Sequence, residues 1–291
     1  MKHIYTLIVL ALFTFSGLRA QNPIVVSEDK IDFGNGTVPG YSVVIPEVDL
    51  EKTVRDWIKY LESGTRSKVV EKGSNLTIFG AKVKPVSENP VNVYSTVKEE
   101  NEGIKIQTAF ELEKDKYAGS DEYANGRKYL FDFAKDEYLS VVNDQLNTEE
   151  KKLRSLKNDL TGLENDHTRM EKSTKNSQET IEEENQHLAD YKRQLASLSP
   201  EEYHGDSAAV TGMGSKSADA VKDLEKERKK LNREIKSSQD RIDRAEKQIA
   251  ENERAMPKNL SDQEAAREKV NEQEKVVKLH QKKVDTIKEY K

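Results

Sequence analysis

A seven-residue repeat of apolar positions is the feature that most constrains this chain. Eleven of 16 positions in two interleaved rows are apolar: Leu146, Leu153, Leu160, His167, Thr174, Ile181, Leu188, Leu195, and Glu149, Leu156, Leu163, Met170, Ser177, Glu184, Tyr191, Leu198. Apolar rows at this spacing are typical of helices that supercoil around a partner helix. The repeat therefore predicts a first helical arm over residues 129–198, with one seam facing a second helix.

The same repeat resumes in a second arm, predicted over residues 217–290. Its rows are Val221, Arg228, Ile235, Ile242, Ile249, Met256, and Leu224, Leu231, Ser238, Ala245, Asn252. Pro257 predicts a break in the helix, and the capping box from Ser261 to Glu264 predicts a new start, with a kink at residues 256–261. Val270, Val277 and Val284 keep the same phase, which favours a kinked continuation over a reversal.

Residues 199–216 interrupt the two arms with small residues and three glycines. We interpret this segment as the tip loop of an antiparallel hairpin, because the arms then match in length. That interpretation pairs Leu195 with Val221, Thr174 with Ile242, and the C-terminal Lys291 with about residue 125. A parallel dimer of long helices, with the segment acting as a hinge, is the open alternative.

The preceding part, residues 21–127, has the pattern of a small α+β domain. Strands are predicted at residues 24–26, 41–45, 68–71, 76–79, 91–97 and 104–112, which are rich in β-branched residues, and the last of these alternates clearly between apolar and polar residues. Asp49 is placed to cap a helix over residues 50–63, and Gly64 follows as a stop signal. This order predicts a small antiparallel sheet with one helix packed across a face.

Aromatic residues in two places suggest how the domain packs. Trp57 shares one helix face with other apolar residues, which predicts a core position. A second group at the junction of domain and arms is interpreted as packing of the long helix on the sheet, with a ligand or partner surface as the alternative: Tyr117, Tyr123, Tyr129, Phe131, Phe133 and Tyr138.

Residues 1–20 have the layout of a secretory signal peptide, with Lys2 before an apolar run and Ala20 at a plausible cleavage site. We expect export to a bacterial periplasm, with no transmembrane anchor left after cleavage. The chain holds 48 Lys and Arg residues, 53 Asp and Glu residues and no cysteine. This acidic balance argues against nucleic-acid binding.

The motifs that could carry chemistry are few. Glu164 with His167 and Glu184 with His187 both match Glu-x-x-His, but they lie 20 residues apart on one predicted helix, about 30 Å along its axis. They cannot share a metal site within one chain. The chain also lacks a Gly-x-Ser-x-Gly elbow and a Gly-rich phosphate loop. We therefore assign no catalytic residue, metal site or cofactor.

These observations predict a non-enzymatic, exported interaction or scaffold protein that uses a coiled-coil arm to contact or space a protein partner in the cell envelope. Self-association is a further expectation. Candidate partner contacts at the tip are Tyr203, His204, Val210 and Met213, and Ser207 is a candidate O-glycan acceptor. The alternative is a ligand-binding module, in which the sheet and its helix hold an apolar small molecule and the coiled coil dimerises or covers it.

Overall fold

A computed structural model describes residues 24–34, 36–118, 123–198 and 216–291. The fold is α+β, with an N-terminal antiparallel sheet, one short helix and a long helical hairpin. This is the predicted fold class.

The seven strands of the sheet are β1 (Val26–Asp32), β2 (Thr37–Ile45), β3 (Val70–Lys72), β4 (Asn75–Ala81), β5 (Val91–Glu100), β6 (Gly103–Glu113) and β7 (Lys116–Tyr117). They lie in the order β1-β2-β6-β5-β4-β3, and β7 pairs with β6. β1 runs well beyond the predicted residues 24–26. Sequence reasoning missed it because its Glu28, Asp29 and Lys30 are charged, as is common on an edge strand.

The central pair, β5 and β6, follows the alternation predicted from the sequence. Val93 pairs with Phe110 and Val97 with Ile106, and these four side chains point into the core. The turn between the strands uses Gly103, whose φ of 143° brings its backbone against the carbonyl of Ile45. A side chain there would collide with that carbonyl, so the tight approach requires glycine.

Helix α1 (Leu50–Glu62) covers the core face of the sheet. Its N-cap is Asp49, whose carboxylate accepts a hydrogen bond from the Lys52 N–H at 2.8 Å, as the sequence predicts. Trp57 is fully buried, which confirms its predicted core position.

Two long helices follow, α2 (Tyr123–Ser197) and α3 (Lys216–Lys288). The chain forms two compact units: unit 1 comprises residues up to Lys151 and residues Lys275–Lys291, and unit 2 comprises Lys152–Glu274. Unit 1 thus contains the sheet, α1, the start of α2 and the end of α3.

In unit 1, Glu47 ties the loop after β2 to both long helices. Its carboxylate accepts hydrogen bonds from Lys283 of α3 at 2.6 and 2.7 Å and from Gln145 of α2 at 3.1 Å. Lys135 of α2 donates to the carbonyls of Lys288 and Tyr290, which caps the end of α3.

The predicted seam of α2 is confirmed. Every position of its two rows, from Leu146 to Leu198, is buried or half-buried, whereas most of the intervening residues are exposed. In α3 the rows hold from Leu231 onward, but Val221 and Leu224 at its start are 54% and 43% exposed. The predicted pairing of Leu195 with Val221 is therefore not observed.

The register of the hairpin differs from the prediction. Thr174 hydrogen-bonds to Asn252, whereas the prediction placed it opposite Ile242. The observed register is therefore shifted by about ten residues, or nearly three helical turns. Lys135 contacts the C-terminal residues that were expected near residue 125. An apolar heptad repeats itself every seven residues, so it restricts the register without fixing it. Polar contacts between α2 and α3, such as Asn252–Thr174, select one register.

The predicted break at Pro257 and the new helix start at Ser261 are wrong, because α3 runs continuously through both residues. Pro257 removes the hydrogen bond to the carbonyl of Glu253, and both residues are exposed, so water can solvate that carbonyl. Leu260, directly before Ser261, is 47% exposed.

Among the described residues, no helix combines the length and the apolar character that a membrane crossing needs.

Candidate functional site

The most distinctive feature of unit 2 is a set of polar side chains buried in the seam between α2 and α3. On the α3 side Ser238, Asn252, Asn259 and Gln263 are at most 9% exposed, and on the α2 side so is Glu184. Burying polar groups in a two-helix seam costs stability unless they bond to each other. Their partners therefore decide what this arrangement can do.

The first polar layer is an ion pair between the two helices. Arg241 Nε lies 2.6 Å from Glu184 Oε1, and its Nη2 donates to Glu184 Oε2 at 3.0 Å. Arg241 also contacts the hydroxyls of Ser237 and Ser238. The hydrogen bond and the charge of Arg241 hold the pKa of Glu184 below its ordinary value. Both oxygens of the carboxylate face one guanidinium, an arrangement specific for arginine.

The second and third layers use amides on α3. Asn252 Nδ2 donates to the hydroxyl of Thr174 at 3.0 Å and to the carbonyl of Met170 at 3.2 Å. Further along, Asn259 Nδ2 donates to the carbonyl of Leu163 at 3.1 Å, and Gln263 Nε2 donates to Asn259 Oδ1 at 2.7 Å. The bonds from Asn252 and Asn259 cross to α2 and are lost if the helices slide, whereas the Gln263–Asn259 bond holds the Asn259 amide in place within α3.

The two Glu-x-x-His motifs enter different interactions. Glu164 pairs with Arg267 across the seam at 2.9 Å, and His167 Nε2 lies 3.3 Å from Glu171 on its own helix. Glu184 belongs to the arginine layer described above. Within the described residues, no three His, Asp or Glu side chains are grouped so that they could hold a metal ion.

Two shallow grooves lie on the surface of unit 2. One, of about 350 Å³, is lined by α2 residues from Arg169 to Thr180, and the other, of about 440 Å³, lies between α2 and α3 beside Met170 and Asn259. Both are open and lined largely by polar side chains. Neither groove encloses a volume from solvent, as small-molecule sites usually do.

In unit 1, the aromatic residues predicted at the junction separate into two groups. Tyr129, Phe133 and Tyr138 of α2 join the core, and Phe133 lies 4.7 Å from the ring of Trp57. Phe131 packs at the edge of this core. Tyr117 lies instead in a ring cluster around Tyr94. The side chain of Tyr123 is outside the described part.

The tip residues proposed from the sequence, Tyr203, His204, Ser207, Val210 and Met213, lie outside the described residues. The polar partners on α3 were missed, although Ser238 and Asn252 occupy positions of the predicted rows. Non-apolar residues at seam positions were a usable signal. Which of these residues pair with each other could not be predicted, because the pairing depends on the register.

The chain matches no protein-family model, and a search of curated proteins also finds no match.

Proposed function

We propose that this is a non-enzymatic interaction or scaffold protein, exported to the bacterial periplasm, whose helical hairpin contacts or spaces a protein partner in the envelope. The observation that supports this most is the use of the polar groups buried in unit 2. Glu184, Asn252, Asn259 and Gln263 bond within the seam or across it, which aligns the two helices.

The aligned helices of unit 2 carry a long exposed surface that other molecules can contact. Of the 46 residues of α2 between Lys152 and Ser197, most are exposed, and they form a helix of about 70 Å. A fixed register presents these side chains at fixed spacings. This property suits a spacer or a recognition surface.

The interior of unit 1 favours this proposal over a ligand-binding module. Between the sheet and the helices, the space is occupied by large side chains that are at most 2% exposed, among them Trp57, Tyr41, Tyr138 and Phe110. The rings of Tyr41 and Phe110 are in contact at 5.8 Å, and that of Trp57 lies 4.7 Å from Phe133. A tightly packed core of this kind is occupied by the protein itself.

A paired deletion tests the role of the hairpin. Residues 153–159 of α2 contain Lys157, which pairs with Glu274 of α3, and residues 266–272 of α3 contain Arg267, which pairs with Glu164 of α2, so the two segments lie at the same level of the seam. Removing both segments takes one heptad from each helix, so the seam keeps its phase. The shortened protein should remain helical by circular dichroism.

Affinity purification from solubilised envelopes of the native host, with quantitative mass spectrometry, would compare this variant with the intact chain. We expect the specific partners of the intact protein to be lost with the shortened hairpin. Gly162→Ala is the matched control, because a methyl group there meets nothing within 4 Å. Recovery of the same partners by a folded, shortened variant would contradict a role of the hairpin.

A further inference from the structure

The face of the sheet opposite α1 carries an aromatic cluster that is separate from the core. Tyr94 of β5 is its centre, with ring centroids 5.8 Å from Phe33, 6.4 Å from Phe79 and 6.3 Å from Tyr117. Phe79 is 57% exposed. We call these four residues the outer ring cluster.

A carboxylate lies directly beside the cluster. Glu111 Oε2 accepts hydrogen bonds from the Tyr94 hydroxyl and from Asn92 Nδ2, both at 2.9 Å, and Oε1 accepts one from the backbone N–H of Asp115 at 3.0 Å. The side chain is held in place by three donors, two from β5 and one from the turn after β6. Glu111 is 9% exposed.

The three donors are all neutral, so they stabilise the charge of Glu111 without cancelling it. The bond from Asn92, followed by those from Asp115 and Tyr94, keeps the pKa of Glu111 below its ordinary value despite burial. Within the described residues, no Lys or Arg nitrogen lies within 4.0 Å of this carboxylate. Buried carboxylates in proteins are usually paired with a cation.

The same negative charge acts on the rings. Burial, the hydrogen bond to Glu111 and the nearby charges of Glu111 and Asp115 raise the pKa of Tyr94 to about 12. Burial together with Glu111 and Asp115 also raises the pKa of Tyr117. Both hydroxyls therefore stay protonated. The cluster thus offers neutral rings in a negative local field, with Phe79 exposed and Phe33, Tyr94 and Tyr117 half-buried.

Exposed ring faces beside an ionised carboxylate attract cations, since the ring quadrupole and the charge act in the same direction. Of the biological cations, the arginine side chain fits best, because its planar guanidinium stacks on rings and is weakly hydrated. We propose that the outer ring cluster docks an arginine side chain presented by a protein partner. This inference is independent of the hairpin's proposed role, and its test needs no partner to be identified.

The test is an NMR titration of the mature chain, residues 21–291, with 15N labelling. The amides of Gly80 and Asp115 are local reporters, because they donate to Asn92 and Glu111 respectively. The probe is the peptide acetyl-Ala-Arg-Ala-amide, and the matched peptide carries citrulline, which has the same shape without the charge. We expect the arginine peptide to shift both amides with an affinity about tenfold higher.

Variants at two positions connect the binding to the cluster. Glu111→Gln should remove the preference for arginine over citrulline. Phe79→Leu changes an exposed side chain and keeps its apolar bulk, and it should weaken arginine binding about two- to fivefold, whereas Phe79→Tyr should restore it. Glu102→Gln, in the turn between β5 and β6, is the control for charge and should bind normally.

Equal shifts with the arginine and citrulline peptides, or none with either, would overturn the proposal. So would normal arginine binding by Phe79→Leu, which does not depend on whether Glu111→Gln folds. Competition by tetramethylammonium distinguishes a site for an arginine side chain from a site for a free quaternary ammonium compound. Weak competition by this ion supports an arginine side chain, and competition equal to that of the peptide would identify a site for free quaternary ammonium compounds.

Discussion

Unit 1 and unit 2 bury different kinds of side chain between their elements. In unit 1 the sheet and helices enclose large apolar side chains, and Trp57, Ile45, Ile106 and Phe110 are essentially inaccessible to water. In unit 2 two helices share one narrow seam, where apolar layers alternate with Glu184–Arg241 and Asn252–Thr174. A closed core gains stability from apolar burial, whereas an open seam gains its alignment from directional polar contacts.

The largest difference should follow from truncating one apolar side chain in each unit. Trp57→Ala empties a fully enclosed position, and we expect it to cost about 3–5 kcal/mol of unfolding free energy. Leu188→Ala, in the seam and 6% exposed, should cost about 2 kcal/mol because solvent and neighbours can fill the gap. Urea denaturation followed by circular dichroism measures both. Equal losses would show that the seam is packed as rigidly as the core.

A glycine-to-alanine change within α2 should have opposite signs in the two units. A methyl group at Gly126 would lie 2.5 Å from the ring of Tyr41, so we expect Gly126→Ala to destabilise the protein by about 1–3 kcal/mol. At Gly162 nothing lies within 4 Å, and Gly162→Ala should stabilise it by up to about 1 kcal/mol. Thermal melts of the two variants give the comparison. A stabilising effect of Gly126→Ala would mean that Tyr41 moves readily.

The smallest effects concern two glutamates whose pKa values shift in opposite directions. Burial raises the pKa of Glu137 in unit 1 above its ordinary 4.5, although Lys52 opposes the shift, and Arg241 lowers that of Glu184 in unit 2. Glu137, whose pKa is raised, binds its proton more tightly in the folded than in the unfolded state, so it favours folding increasingly as the pH falls. Glu184, whose pKa is lowered, contributes stability above about pH 4.5, and this contribution is lost as the pH falls through its pKa in the folded protein.

Unfolding free energies between pH 3 and pH 7 check this contrast. Relative to the parent protein, Glu184→Gln should lose stability at pH 7 and approach the parent at pH 3. Glu137→Gln should show the reverse trend, with its relative stability highest at pH 7. Glu183→Gln, an exposed neighbour in α2, is the control and should follow the parent. Parallel curves for all three variants would contradict the assigned shifts.

Much of the fold could be predicted because it depends on short-range periodicity. The alternation in β5 and β6, the cap at Asp49 and the seam of α2 all follow from the spacing of neighbouring residues. The outer ring cluster could not be predicted this way. Phe33, Phe79, Tyr94 and Tyr117 come from separate segments of the chain, and they meet only because β4, β5 and β7 lie near one another in the sheet.

The sequence by itself determined which residues face the seam, since a helix turns every 3.6 residues whatever its partner. It also determined the identity of the core, because Trp57 and the alternating strand residues have no other favourable place than the interior. The tertiary structure decided the register and the continuity of α3 through Pro257. Both depend on energies summed over many contacts between the helices, to which a single proline or one layer of the seam makes only one contribution.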